Sequence, residues 1–94
     1  MASSIDYLTY VLELLRKVPG VTYKKMMGEF LLYRDGMLFG GVYDNRFLIK
    51  KTAGNAGLKE QIPYPGAKPM LLVDSEDADE VASLVRAVCD DLRA

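Results

Sequence analysis

The dipeptide Asp35-Gly36, set between the apolar runs Phe30–Arg34 and Met37–Tyr43, constrains the fold more than any other feature of this sequence. A two-residue type I′ turn needs positive φ at both central positions, and Asp-Gly supplies it. The two runs therefore read as an antiparallel hairpin. Asp44-Asn45 marks a second turn before Arg46–Lys50, and the β candidate Val21–Met27, broken by Gly28, precedes the pair. With two-residue loops at both turns, one face collects Leu31, Tyr33, Leu38, Gly40, Val42, Phe47 and Ile49. That face is wholly apolar and reads as the core. The opposite face collects Phe30, Leu32, Arg34, Met37, Phe39, Gly41, Tyr43, Arg46, Leu48 and Lys50. Antiparallel sheets usually show water a polar face. This face mixes aromatic, aliphatic and basic residues, so it is expected to be covered or used.

Helical patterns flank the strands. From Ser4 to Lys17 the period is helical, with Ser3 or Ser4 as cap, Asp6 at the positive end of the dipole and Pro19-Gly20 as the stop. Its polar arc holds Asp6, Thr9, Glu13, Arg16 and Lys17, leaving roughly 220° apolar where a little over 100° suffices to cover one sheet. The excess around Tyr7, Tyr10 and Leu14 either drapes over the monomer or makes a subunit contact, and a homodimer is expected through it. Residues 51–61 read as loop with one helical turn near 56–60. Pro63, Pro65 and Pro69 exclude a central strand, and Pro65-Gly66 suits a type II turn. Met70–Val73 is a short apolar strand. Ser75 is expected to cap a final helix with Glu76, Asp77, Asp79 and Glu80 in its first turn and Val81, Leu84, Val85, Val88 and Leu92 as its stripe. The fold class is α+β: two layers, an antiparallel sheet of about five strands with N- and C-terminal helices packed on it, in a single domain spanning 1–94.

Composition narrows the function classes. Ninety-four residues suffice for one core. No apolar run approaches the roughly 18–20 residues of a membrane span, and the first residues lack the basic and apolar regions of a secretory leader. The lone Cys89 excludes an internal disulfide, so a cytoplasmic protein is expected. Cys89 neighbours Asp90 and Asp91 near a helix C-terminus, which raises rather than lowers a thiol pKa. Histidine is absent, removing the commonest general base and metal ligand. Asp74, Asp77, Asp79 and Glu80 lack the glycine and distal glutamate of a calcium loop. Phe39-Gly40-Gly41 has too few glycines for phosphate binding and instead suits close packing or a bulge. No enzyme activity, metal or cofactor is therefore expected. A deep pocket with Arg46 or Lys50 beside Tyr23, Tyr33 or Tyr64 would be evidence for an enzyme.

Charge is segregated along the chain. Residues 16–68 carry ten basic against four acidic side chains, whereas residues 74–94 carry two against seven. The candidate interaction face is Arg34, Phe39, Tyr43, Arg46, Leu48 and Lys50. Apolar residues with Arg and Tyr at the centre typify protein contacts, and cations among stacking aromatics can instead hold single-stranded nucleic acid. A protein partner or a second copy is the leading expectation, with a nucleic-acid-binding regulator acting through Arg34, Arg46, Lys50 and Lys51 as the alternative. Arg46 and Lys50 either pair with acids such as Glu29 and lie over aromatic rings, or meet an acidic partner segment.

Met26-Met27-Gly28-Glu29, Phe39-Gly40-Gly41, Tyr43-Asp44-Asn45-Arg46-Phe47-Leu48-Ile49-Lys50 and Pro63-Tyr64-Pro65-Gly66-Ala67-Lys68-Pro69-Met70 resemble the N-terminal domain of TfoX/Sxy proteins. The resemblance spans almost the whole chain. It implies a two-layer α+β fold similar to secretion-chaperone-like domains. It also implies a bacterial setting in competence regulation, where longer members carry a C-terminal domain and assist a cyclic-AMP-responsive activator. No catalytic residues follow from it.

Overall fold

The computed structural model describes residues 3–53 and 57–93. The order is α1 (Ile5–Leu14), β1 (Val21–Met26), β2 (Glu29–Arg34), β3 (Met37–Val42), β4 (Phe47–Ile49), β5 (Glu60–Gln61), β6 (Met70–Leu72) and α2 (Ala78–Arg93). The strands form one antiparallel sheet in the order β1-β2-β3-β4-β6-β5. Both helices pack on one face of it, so the α+β class and two-layer arrangement expected from the sequence hold, with six strands. The strand beyond the expected five is β5. Glu60 and Gln61 pair with Leu71 and Met70 where a helical turn was expected; residues 54–56 lie outside the described residues.

Three two-residue turns build the meander. Asp35-Gly36 and Asp44-Asn45 both have positive φ, as their residue types require, and so do Met27 (52°) and Gly28 (85°). Tyr43 and Arg46 exchange backbone hydrogen bonds of 2.9 and 3.0 Å across the second of these turns. The Ala67 amide donates to the Tyr64 carbonyl (3.1 Å) around Pro65-Gly66, with Gly66 at φ +86°, as a type II turn demands.

The caps divide as sequence and geometry dictate. Ser4 accepts from the Tyr7 amide at 3.1 Å and caps α1. Ser75 does not cap α2. Asp77 stands immediately before Ala78, and its carboxylate accepts from the Asp79 amide (2.9 Å) while its carbonyl accepts from Val81 (2.9 Å). Ser75, two residues earlier, reaches only the Asp77 amide.

A bulge changes the faces of the sheet from those the two-residue turns imply. Leu32 pairs with Gly40 but Tyr33 pairs with Leu38, so Phe39 is an extra residue, a bulge in β3. A one-residue slip exchanges faces. The core face therefore holds Phe30 and Leu32 rather than Leu31 and Tyr33. They join Phe39, Val42, Phe47, Ile49 and Leu71 beneath Leu8, Val11, Leu14, Leu15, Val81, Val85 and Val88. Leu31, Tyr33 and Leu38 move to the outer face. Gly40 and Gly41 serve the close packing expected of them: a Cβ on Gly41 would stand 2.7 Å from the Phe30 carbonyl oxygen and from the Tyr43 ring.

The helix α1 is covered more fully than its apolar arc suggests. Leu14 is in the core, Tyr7 is half-buried against the Tyr10 ring (5.7 Å), and of the three residues expected at a dimer contact Tyr10 alone is open, at 43%. Among the described residues no helix is long and apolar enough to cross a membrane.

Candidate interaction groove

The six residues of the candidate face divide between the two sides of the sheet. Phe39 is fully buried in the core. Arg34 pairs with Val21 and Met37, both packed on that core, and so lies on the helix side. Tyr43, Arg46, Leu48 and Lys50 remain together on the outer face. Leu48 and Tyr43 are buried there, Tyr43 against the Tyr64 ring of the proline-rich segment 62–69.

Arg46 fastens that segment. Its Nε donates to the Tyr43 carbonyl (3.1 Å), Nη1 to Gln61 Oε1 (2.8 Å), and Nη2 to the Ile62 and Pro63 carbonyls (both 3.2 Å). Four of the five guanidinium donors are thus used within the chain, neither on Glu29 nor over an aromatic ring. Glu29 is engaged elsewhere, accepting from Ser3 Oγ (2.7 Å) and the Asp44 amide (3.0 Å). The Tyr43 and Tyr64 rings meet at 6.2 Å and a 53° tilt. Burial, with Tyr64, Glu29 and Tyr33 nearby, raises the Tyr43 pKa above 10.0.

Between the pinned segment and the sheet runs an open groove of about 620 Å³, within the usual range for ligand sites. Leu38, Tyr43, Pro63, Tyr64, Pro69 and Met70 supply its apolar lining, with Lys50, Lys51, Lys68 and Glu60 among the same walls. Lys51 pairs with Glu60 at 3.1 Å. A second cleft of about 410 Å³ lies beside Met26, Met27, Glu29 and Leu31, and Tyr43 and Tyr64 line both. Lys50 does stand beside Tyr64, in this open groove. Sequence reasoning missed Leu38, Pro69 and Met70 as groove residues. The signal available was the bulge-prone Gly40-Gly41 pair, which shifts Leu38 outward.

Charge follows the layers. Segments 3–18 and 73–93, which carry the helices, hold nine acids and four bases, whereas residues 20–72 hold eight bases and four acids. The acids around the start of α2 have structural duties: Asp77 caps, and Asp79 binds Lys17 at 2.7 Å, which lowers its pKa below 3.8 through the hydrogen bond and the charge. Among the described residues no group of three His, Cys, Asp or Glu is placed to hold a metal.

No family model matches the chain. Over 92 residues it is 33% identical to the "Uncharacterized 12.7 kDa protein in trpE 5'region" of Spirochaeta aurantia, a span covering 92% of this chain and 80% of that protein. At that identity and coverage the chain belongs to the family of the spirochaetal protein.

Proposed function

We propose that the protein is a non-enzymatic, cytoplasmic interaction module of the TfoX/Sxy N-terminal type. In this proposal its outer-face groove receives an acidic, partly apolar segment of a partner protein. The observation that carries this is the groove itself: an apolar lining bearing Lys50, Lys51 and Lys68, on the layer that holds the basic excess. Such a site rewards carboxylates at its rim and side-chain burial on its floor. Cys89 is buried and the chain has no histidine, which leaves nucleophilic and general-base roles without their usual residues.

The test is capture from host lysate, with and without nuclease treatment, by wild-type bait and by a Lys50→Glu, Lys51→Glu, Lys68→Glu bait of equal melting temperature. A protein retained by the wild type, released by salt and absent from the variant supports the proposal. Retention that nuclease abolishes would move the groove to the nucleic-acid class, where the exposed Tyr64 ring (58%) offers a stacking surface. Light scattering across a concentration series tests self-association through α1; a strict monomer at tens of micromolar excludes it.

A further inference from the structure

The two edges of the sheet are treated differently. The edge at β5 is two residues long and runs into Ile62-Pro63, with Pro65 and Pro69 following, which protects it from pairing. The edge at β1 is six residues long, free of proline, and exposed along Thr22–Met26.

Met27-Gly28 is a two-residue turn, so Met26 and Glu29 form its closing hydrogen-bonded pair. Alternation then makes Lys24–Leu31 and Thr22–Tyr33 bonded pairs. At the far end the Asp35 amide donates to the Gly20 carbonyl at 2.9 Å, which fixes the same phase. The N–H and C=O groups of Val21, Tyr23 and Lys25 therefore point away from β2, along the free edge. Around them stand Tyr23 (51% exposed), its ring edge-on to Phe30 at 6.0 Å, and two lysines on opposite faces, Lys24 outward and Lys25 on the helix side. Among the described residues neither lysine has an ion pair.

We infer that the free edge of β1 accepts an extended segment of a partner protein as a seventh strand, with an acidic doublet opposite Lys24 and Lys25. Main-chain bonds to Val21, Tyr23 and Lys25 supply the pairing, and the doublet supplies selectivity, one carboxylate on each face of the sheet. A second copy is disfavoured as occupant. Antiparallel self-pairing centred on Tyr23 sets Lys24 opposite Thr22 and leaves the two Lys24 side chains about 7–8 Å apart on the outer face, with no acid in the ladder.

The experiment uses a fluorescein-labelled, end-blocked peptide Thr-Val-Thr-Glu-Glu-Val-Thr-Val and a control with Lys-Lys replacing Glu-Glu. Saturable anisotropy is expected for the glutamate peptide and at least tenfold weaker binding for the control. Lys24→Glu with Lys25→Glu, which leaves the groove lysines intact, is expected to reverse that preference. On peptide addition, hydrogen exchange slows at Val21, Tyr23 and Lys25 but not at Thr22 and Lys24, which are already bonded to β2. Tyr23→Pro deletes the central donor without breaking a bond of the fold and is expected to abolish binding, while Tyr23→Ala keeps the donor and binds. Should Tyr23→Pro fail to fold, the exchange pattern in the wild type decides alone. Three results overturn the inference: no saturable binding, binding that survives a folded Tyr23→Pro, or slowed exchange at Val21, Tyr23 and Lys25 that grows with protein concentration in the absence of peptide. The last assigns the edge to a second copy. The groove proposal stands or falls separately, since it involves none of these residues.

Discussion

Replacing Arg46 by alanine removes four hydrogen bonds at once, three of them part-buried: to the Tyr43 carbonyl, Gln61 Oε1 and the Pro63 carbonyl. The fourth, to the Ile62 carbonyl, is exposed and will be replaced by water. A typical intramolecular bond contributes about 0.5–1.5 kcal/mol net, and bonds sharing one side chain do not add fully, so the loss should be about 2–3 kcal/mol. In a domain of this size that corresponds to roughly 10–20 °C in Tm. The damage should also be local. Amides of the β5–β6 hairpin, such as Gln61 and Met70, should exchange faster than those of the β2–β3 hairpin, because the guanidinium is what ties segment 61–63 to the Tyr43 turn. Arg46→Lys, with a single ammonium and no planar fork, should recover less than half of the loss. Urea unfolding at constant m-value gives the magnitude, and residue-resolved hydrogen exchange gives the location. An Arg46→Ala protein within about 0.3 kcal/mol of wild type, with unchanged exchange at the hairpin, would show that the Tyr43–Tyr64 contact and the prolines hold the segment unaided.

Phe39→Ala should cost about 3–5 kcal/mol by emptying part of the core, whereas Tyr64→Ala on the open rim should cost under about 1 kcal/mol; equal effects in chemical denaturation would contradict the bulge. Met27 holds φ 52° while 97% exposed, so its side chain contributes little packing and its backbone is strained. Met27→Gly should raise stability by about 0.5–1 kcal/mol, and a loss in thermal melts would refute this. The raised pKa of Tyr43 means the folded state holds that proton more tightly than the unfolded chain. Its contribution is fully present below pH 10.0 and lost as pH rises from there through the folded value. The fall in Tm above pH 10 should be shallower in Tyr43→Phe, and an identical slope would show that other groups govern it.

Local rules wrote the turns of the meander and the start of α1 into the sequence, whereas α1 ends at Leu14, short of the Lys17 expected, and Asp77 rather than Ser75 caps α2. Asp35-Gly36 and Asp44-Asn45 each sit at φ/ψ values their residue types favour, Ser4 caps at the position its spacing implies, and Pro65-Gly66 turns as it must. What the sequence could not decide was which side of β2 meets the helices. Phe30-Leu31-Leu32-Tyr33 is apolar at every position, so a period-two pattern supports either face equally. Only packing chose: the bulge at Phe39 puts a third aromatic ring beside Phe30 and Phe47 under the helices and turns Leu31, Tyr33 and Leu38 outward. The groove was illegible for the same kind of reason. Its walls come from β3, Tyr43, the lysines just after β4 and residues between 60 and 70, and Arg46 selects among carbonyls that no local pattern singles out. Turns and caps are settled within a few residues by backbone sterics and one hydrogen bond. Faces, clamps and grooves are settled between segments distant in sequence, where burial of side chains against one another decides the outcome.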